Sequence, residues 1–142
     1  MPQLDKSPLL RKMKDLKKYL DDLGPYVSIG VEKYQRDHEK RYVVERLILL
    51  IVEVASDINR SIIEAKEDAP LETYYSTFVK LGELKVVPKE LSVRLASTAG
   101  LRNRIAHHYE DIEHRIVYHS AVRLLKDYRH YFRLIEKYLQ AK

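Results

Sequence analysis

The chain has no cysteine. Disulfides, thiolate metal sites and cysteine nucleophiles are thereby excluded, and any metal would have to be held by carboxylates and the six histidines. Long apolar runs are also missing: the longest, Leu47 to Val52, is too short for a membrane span or for the apolar region of a signal sequence. Together with the charged start Met1-Pro2-Gln3-Leu4-Asp5-Lys6, this makes a cytoplasmic protein the expectation. Glycine and proline are scarce, at four and five, and fall mostly between apolar-periodic segments. No alternating stretch of β-branched residues is sustained, so a sheet is not expected.

What is present reads as helix. The 142 residues are expected to form one domain, long enough to bury about 68% of the surface the unfolded chain exposes. Five helices are expected. The first begins after Ser7 as N-cap, with Pro8 at the first helical position, and carries Leu9, Met13, Leu16, Leu20 and Leu23 until Gly24-Pro25 stops it. The second runs from about Gly30 to Lys66, with Val43, Leu47, Leu50, Ile51, Val54, Ile58 and Ile62 toward the core. A short helix spans roughly Leu71 to Leu81 and ends at Gly82, and Pro88 opens a fourth whose buried stripe is Leu91, Leu95, Thr98, Leu101 and Ile105. The fifth has the seam Val117, Ala121, Leu124, Tyr128, Tyr131, Ile135 and Tyr138. Short connections between long helices favour antiparallel packing, so an all-α, antiparallel four-helix bundle with one additional short helix is the expected architecture.

The net charge of +5 is unevenly placed, because residues 102–142 hold nine Lys or Arg against five acids. That basic end also contains Gly100-Leu101-Arg102-Asn103-Arg104-Ile105-Ala106-His107-His108-Tyr109-Glu110, where ionisable and small residues crowd the end of an apolar helical segment. Arg102 supplies a planar fork of donors that matches phosphate oxygens, and His107 supplies a group that exchanges protons near neutrality. The two lie about 140° apart around an ideal helix, so they do not project from one line. A bend near His107, a wrapped arginine, or a second subunit completing the site would each bring them together, and the last is favoured. Gly100 is costly inside a helix, by about 1 kcal/mol relative to Ala, and with Ala96 it forms a small-residue face open to another helix or a second copy. Helix-end charge compensation also explains an arginine here, and a half-buried histidine also explains His107.

The stretch Gly100 to Tyr109 resembles the Arg-x4-His-x-Tyr motif of HepT-type HEPN proteins, the toxins of HepT/MntA toxin–antitoxin pairs. Tyr42-Val43-Val44-Glu45-Arg46, with Glu53-Val54-Ala55-Ser56-Asp57-Ile58-Asn59, is similar to that family's second helix, and Phe78 through Pro88 to Leu95 resembles its linking region. The resemblance covers roughly residues 30 to 140. It implies a HEPN-like helical domain that forms a homodimer, with the motifs of both subunits lining one cleft. It further implies metal-independent endoribonuclease activity carried by Arg102 and His107, with Asn103 as the usual polar neighbour and no cofactor. The implied partner is an MntA-type nucleotidyltransferase antitoxin that transfers AMP to Tyr109. The chain departs from the pattern at Ala106, where a larger aliphatic residue is common, and at His108, a second imidazole that could share the acid–base role.

Such an enzyme lets the 2′-OH of RNA attack its own phosphate, leaving a 2′,3′-cyclic phosphate and a 5′-OH. His107 moves the proton and Arg102 stabilises charge on the phosphate. A basic face on the last helix, Arg115, His119, Lys126, Arg129, Arg133 and Lys137, suits sequence-tolerant phosphate contacts. The alternative is a non-catalytic HEPN module that binds a nucleotide or a partner protein. A metal site built from His107, His108, Asp111 and His114 would match neither the His-Glu-x-x-His spacing nor a Cys/His finger. Asp57 lies near the apolar face of the second helix and is a candidate partner for a motif arginine or for Arg46.

Overall fold

In a computed structural model of the chain, residues 4–67 and 73–142 are described, and they form helices and no strand. Helix α1, Lys6–Tyr26, is capped by Asp5 rather than Ser7: the Asp5 carboxylate accepts the Ser7 N–H at 3.1 Å. Pro8 therefore sits inside the first turn, where a missing N–H has no intrahelical partner to lose. Leu9, Met13, Leu16, Leu20 and Leu23 are all buried, as their spacing predicts. Gly24-Pro25 does not stop the helix at once. Proline keeps a helical φ, and α1 continues to Tyr26.

The expected second helix is two. Helix α2, Val31–Arg36, and helix α3, His38–Lys66, are separated by Asp37 at φ −112°, ψ 95°. Asp37 Oδ1 accepts the Lys40 N–H at 3.2 Å and Oδ2 accepts from the Lys40 ammonium at 2.8 Å, which makes it an N-cap inside an otherwise helical pattern. The buried face of α3 is also rotated from the expected one. Val44, Leu47, Ile48, Ile51, Val52, Ala55, Ile58 and Ile62 are buried, whereas Val43 is exposed and Leu50 and Val54 are only half-buried. The helix touches α1, α2 and the three later helices at once, so its apolar arc is wide and hydrophobicity alone does not locate its centre.

Helix α4, Tyr74–Glu83, opens with a capping box between Thr73 and Ser76; the expected start at Leu71 lies outside the described residues. Its end is not set by Gly82. Lys85 takes the left-handed conformation at φ +61°, giving its N–H to Gly82 O at 3.1 Å while Val86 N–H reaches Leu81 O at 3.0 Å, a Schellman ending. Gly82 instead admits helix α5, Lys89–His107: a Cβ there would lie 2.6 Å from the Ser92 Cβ and 2.4 Å from its Oγ. Gly82→Ala should lower the unfolding free energy by about 1–3 kcal/mol through overpacking, read as a lower urea midpoint at unchanged m-value.

Helix α6, His114–Gln140, returns along α5, with Arg94 reaching Asp127 at 3.1 Å. It also runs antiparallel to α1: Tyr118 donates to Val27 O at 2.8 Å near the end of α1, and Arg129 reaches Asp21 further back. Tyr118 Oη in turn accepts the N–H of Gly30, whose φ of +92° suits glycine. The four long helices α1, α3, α5 and α6 form the bundle, with α2 and α4 as short additions, so among the described residues six α-helices stand where five were expected. The expected stripe of α5 is buried throughout. On α6 the seam is buried except at its end, where Leu139 is buried and Tyr138 half-buried. A polar network ties the centre: Tyr131 donates to Asn59 Oδ1 at 2.6 Å, and Asn59 donates to Thr77 Oγ1 at 3.1 Å.

Candidate active site

Helix α5 stays regular through His107. His108, at φ −133°, ψ 42°, then leaves the helical region, its N–H on Arg104 O at 2.9 Å. A single 3₁₀ turn, Tyr109–Asp111, packs against the end of α5 before α6 begins. No bend brings His107 toward Arg102.

Arg102 does not cap the helix end. Its guanidinium turns inward, with Nη2 donating to Glu53 Oε1 on α3 at 3.1 Å, Nη1 donating to Asn103 Oδ1 at 3.3 Å, and the Tyr74 ring 4.7 Å away in cation–π geometry. The side chain is 15% exposed, and Nε has no partner among the described residues. One N–H on each Nη is left uncommitted, and the fork is held in one orientation. His107, His108 and Asn103 are exposed. At half-buried Gly100 a Cβ would make an ordinary contact with the guanidinium of Arg104 at 3.7 Å. Within one chain, Asn103 joins Arg102, while the imidazole of His107 stands on a different face.

Tyr109 turns the other way, toward α3, and donates its hydroxyl to Glu45 Oε2 at 3.3 Å. Burial raises the pKa of Glu45, partly offset by the Tyr109 hydrogen bond and Arg41. Partial burial, then the charge of Glu45, raises the phenol of Tyr109 above its ordinary value. His114 Nδ1 lies 3.9 Å from Glu45 Oε2, but burial and then Arg41 lower its pKa, which disfavours the charged imidazole that an ion pair needs.

A family model described as Ribonuclease HepT-like matches residues 16–135. The chain belongs to the HepT-like ribonuclease family. It is 34% identical over 122 residues to the tRNA nuclease HepT of Aphanizomenon flos-aquae, an alignment covering 86% of this chain and 83% of that protein. Among solved structures it is similar to a tri-AMPylated HEPN toxin of Shewanella oneidensis in complex with MNT antitoxin, with a TM-score of 0.84 and 20% identity over 92% of this chain and 98% of that one. It is also similar to YutE of Bacillus subtilis, a cytosolic protein of unknown function, at a TM-score of 0.84 and 15% identity over 99% and 94% of the two chains. At these identities the structural likeness is one of fold.

In this HepT-like chain the partner of the motif arginine is Glu53, one turn before the expected Asp57. Asp57 is exposed and reaches Arg60 at 3.8 Å instead. Glu45 and Tyr74 were likewise not singled out. A signal for Glu45 was present, since it falls on the line of Ile48, Val52 and Asn59, where a carboxylate is out of place. Glu53 and Tyr74 carry no comparable mark, because their role comes from packing between helices. Among the described residues, no group of three or more His, Asp or Glu is placed to hold a metal ion; His114 turns inward to Glu45 while His107 and His108 face outward. On the basic face of α6, Arg129 is tied to Asp21 at 3.2 Å and the others of that face are exposed. A further basic groove of about 270 Å³ lies between α5 and α6, lined by Arg94, Arg104, Arg123, Ser97, Ser120 and Asp127, among others.

Proposed function

We propose that this chain is an endoribonuclease toxin that works as a homodimer, cleaves RNA without a metal ion, and is silenced when an MntA-type nucleotidyltransferase antitoxin transfers AMP to Tyr109. The observation that carries this reading is the pose of Arg102: a half-buried guanidinium, fixed by Glu53 and Tyr74, with donors to spare at the end of a helix whose last residue is an exposed imidazole. A fixed cation of this kind stabilises charge that develops on a phosphate.

In this reading His107 takes the 2′-OH proton as that oxygen attacks the adjacent phosphorus, and a protonated imidazole returns a proton to the departing 5′ oxygen. Arg102 faces the non-bridging oxygens. Since Arg102 and His107 of one chain diverge, the second copy supplies the other half, approaching along the open face of Asn103, Gly100 and His107. The basic groove and the exposed cations of α6 hold the flanking phosphates, with the salt dependence such contacts bring. The relative named as a tRNA nuclease favours tRNA as the RNA class, and the AMP-bearing solved relative favours this mode of silencing.

The test is cleavage of an RNA and a DNA of the same sequence by purified protein in EDTA. RNA should be cut and DNA left whole, because DNA lacks the 2′-OH that the reaction needs. Loss of cleavage in EDTA, regained with a divalent ion, would overturn the metal-free mechanism. Intact RNA under every condition would favour a non-catalytic binding module.

A further inference from the structure

Beneath Tyr109 lies a polar cluster that RNA cleavage, as described above, does not use. Its centre is Glu45, only 6% exposed. Around it stand Arg41 on the same helix, Tyr34 from α2, Tyr109 from the 3₁₀ turn and His114 from the first turn of α6. Arg41 Nε, Tyr34 Oη and His114 Nδ1 are all buried without a hydrogen-bond partner among the described residues. A buried carboxylate is costly unless paired. Here its one hydrogen bond among the described residues is with the Tyr109 hydroxyl, and Arg41 supplies the nearby positive charge. A structural role alone would be served more cheaply by an apolar side chain.

The same contact directs the phenolic O–H at a carboxylate, at 3.3 Å, a spacing that has to shorten for proton transfer, as is common in unliganded sites. The phenolic O–H donates to Glu45 Oε2, while Tyr109 as a residue remains 42% exposed. Because the phenol is held above its ordinary pKa, it does not ionise by itself near neutral pH, and a base must assist it. Burial makes the Glu45 carboxylate a stronger base than an exposed one.

We propose that Glu45 is the general base that activates Tyr109 for nucleotidyl transfer onto its own hydroxyl. The proposal rests on the reading of Tyr109 as the AMP acceptor. The Tyr109 oxygen attacks the α-phosphorus of a nucleoside triphosphate presented by the partner enzyme. The bond from the α-phosphorus to the bridging oxygen breaks, pyrophosphate leaves, and the phenolic proton passes to Glu45. The toxin thus contributes a catalytic group to its own silencing. Glu45 serves only the transfer onto Tyr109, since an AMP added to any other hydroxyl lies beyond the reach of this buried carboxylate.

The experiment incubates the toxin with purified MntA-type nucleotidyltransferase, Mg²⁺ and ATP, and follows successive mass additions with time, with RNA cleavage measured on the same unmodified samples. Wild type, Glu45→Gln, Glu45→Asp and Tyr109→Phe are compared. Glu45→Gln should take the first AMP about 10²-fold more slowly, a typical general-base contribution. It should keep the wild-type rate for later additions and cleave RNA within a few-fold of wild type, which also shows that it folds. Glu45→Asp should recover part of the first rate, and Tyr109→Phe should gain no mass. A Glu45→Gln protein modified at the wild-type rate, or slowed equally at every addition, overturns the proposal. If wild-type toxin cuts RNA but gains no mass at Tyr109, the acceptor reading itself fails and the proposal falls with it.

Discussion

His107→Ala should lower kcat for RNA cleavage toward the upper end of the range of about 10²–10⁴-fold that positioned acid–base groups contribute, because one imidazole is asked both to take and to return a proton. The fold should scarcely notice. His107 is exposed at the last position of α5, and surface substitutions of this kind usually change stability by about 0.5 kcal/mol or less. KM should move little, since the phosphate contacts assigned to the basic groove and α6 are untouched. Single-turnover kinetics on a labelled RNA, with a urea melt of the same sample, separates these effects. A variant that cuts RNA at the wild-type rate would remove His107 from the chemistry. His108→Ala measured in parallel shows whether the neighbouring imidazole carries part of the role.

Arg102→Ala should cost about 10²–10³-fold in kcat, the usual loss when a fixed donor to developing charge is removed. Arg102→Lys should recover little, because an ammonium cannot bond Glu53 and Asn103 at once and still present a planar fork to phosphate. Mixing the two inactive variants is more telling. If each site takes its arginine from one subunit and its histidine from the other, a mixed dimer of Arg102→Ala and His107→Ala has one intact site. With random exchange, equal amounts should recover about a quarter of wild-type activity, since half of the dimers are mixed and half of their sites are whole. No recovery, in a sample shown by mass to contain mixed dimers, would place both residues in one chain's site.

The periodic parts of this fold were legible in the sequence. The stripe of α5 and nearly all of the seam of α6 are buried as their spacing requires, because each long helix offers one apolar line to its neighbours. The boundaries were less so. Asp37 interrupts an otherwise continuous helical pattern through a cap it makes with Lys40, and Lys85 holds a left-handed position where Gly82, three residues earlier, looked the better candidate. On α3 the packed face was misplaced because several neighbours share it. For the candidate site, Arg102, Asn103, His107 and Tyr109 stand out by their own chemistry and by the family motif. Their partners Glu53, Tyr74 and Glu45 come from other helices, at separations that no local spacing encodes.

The clamp on Arg102 has an entropic consequence. A free arginine side chain carries about 2 kcal/mol of rotamer entropy, which an enzyme that gathers its guanidinium around the substrate must surrender during turnover. Here Glu53, Asn103 and Tyr74 remove most of that freedom when the helices dock. In the proposed reaction the arginine would therefore meet the phosphate already ordered, and the loss would appear in the stability of the bundle instead of in the barrier to cleavage.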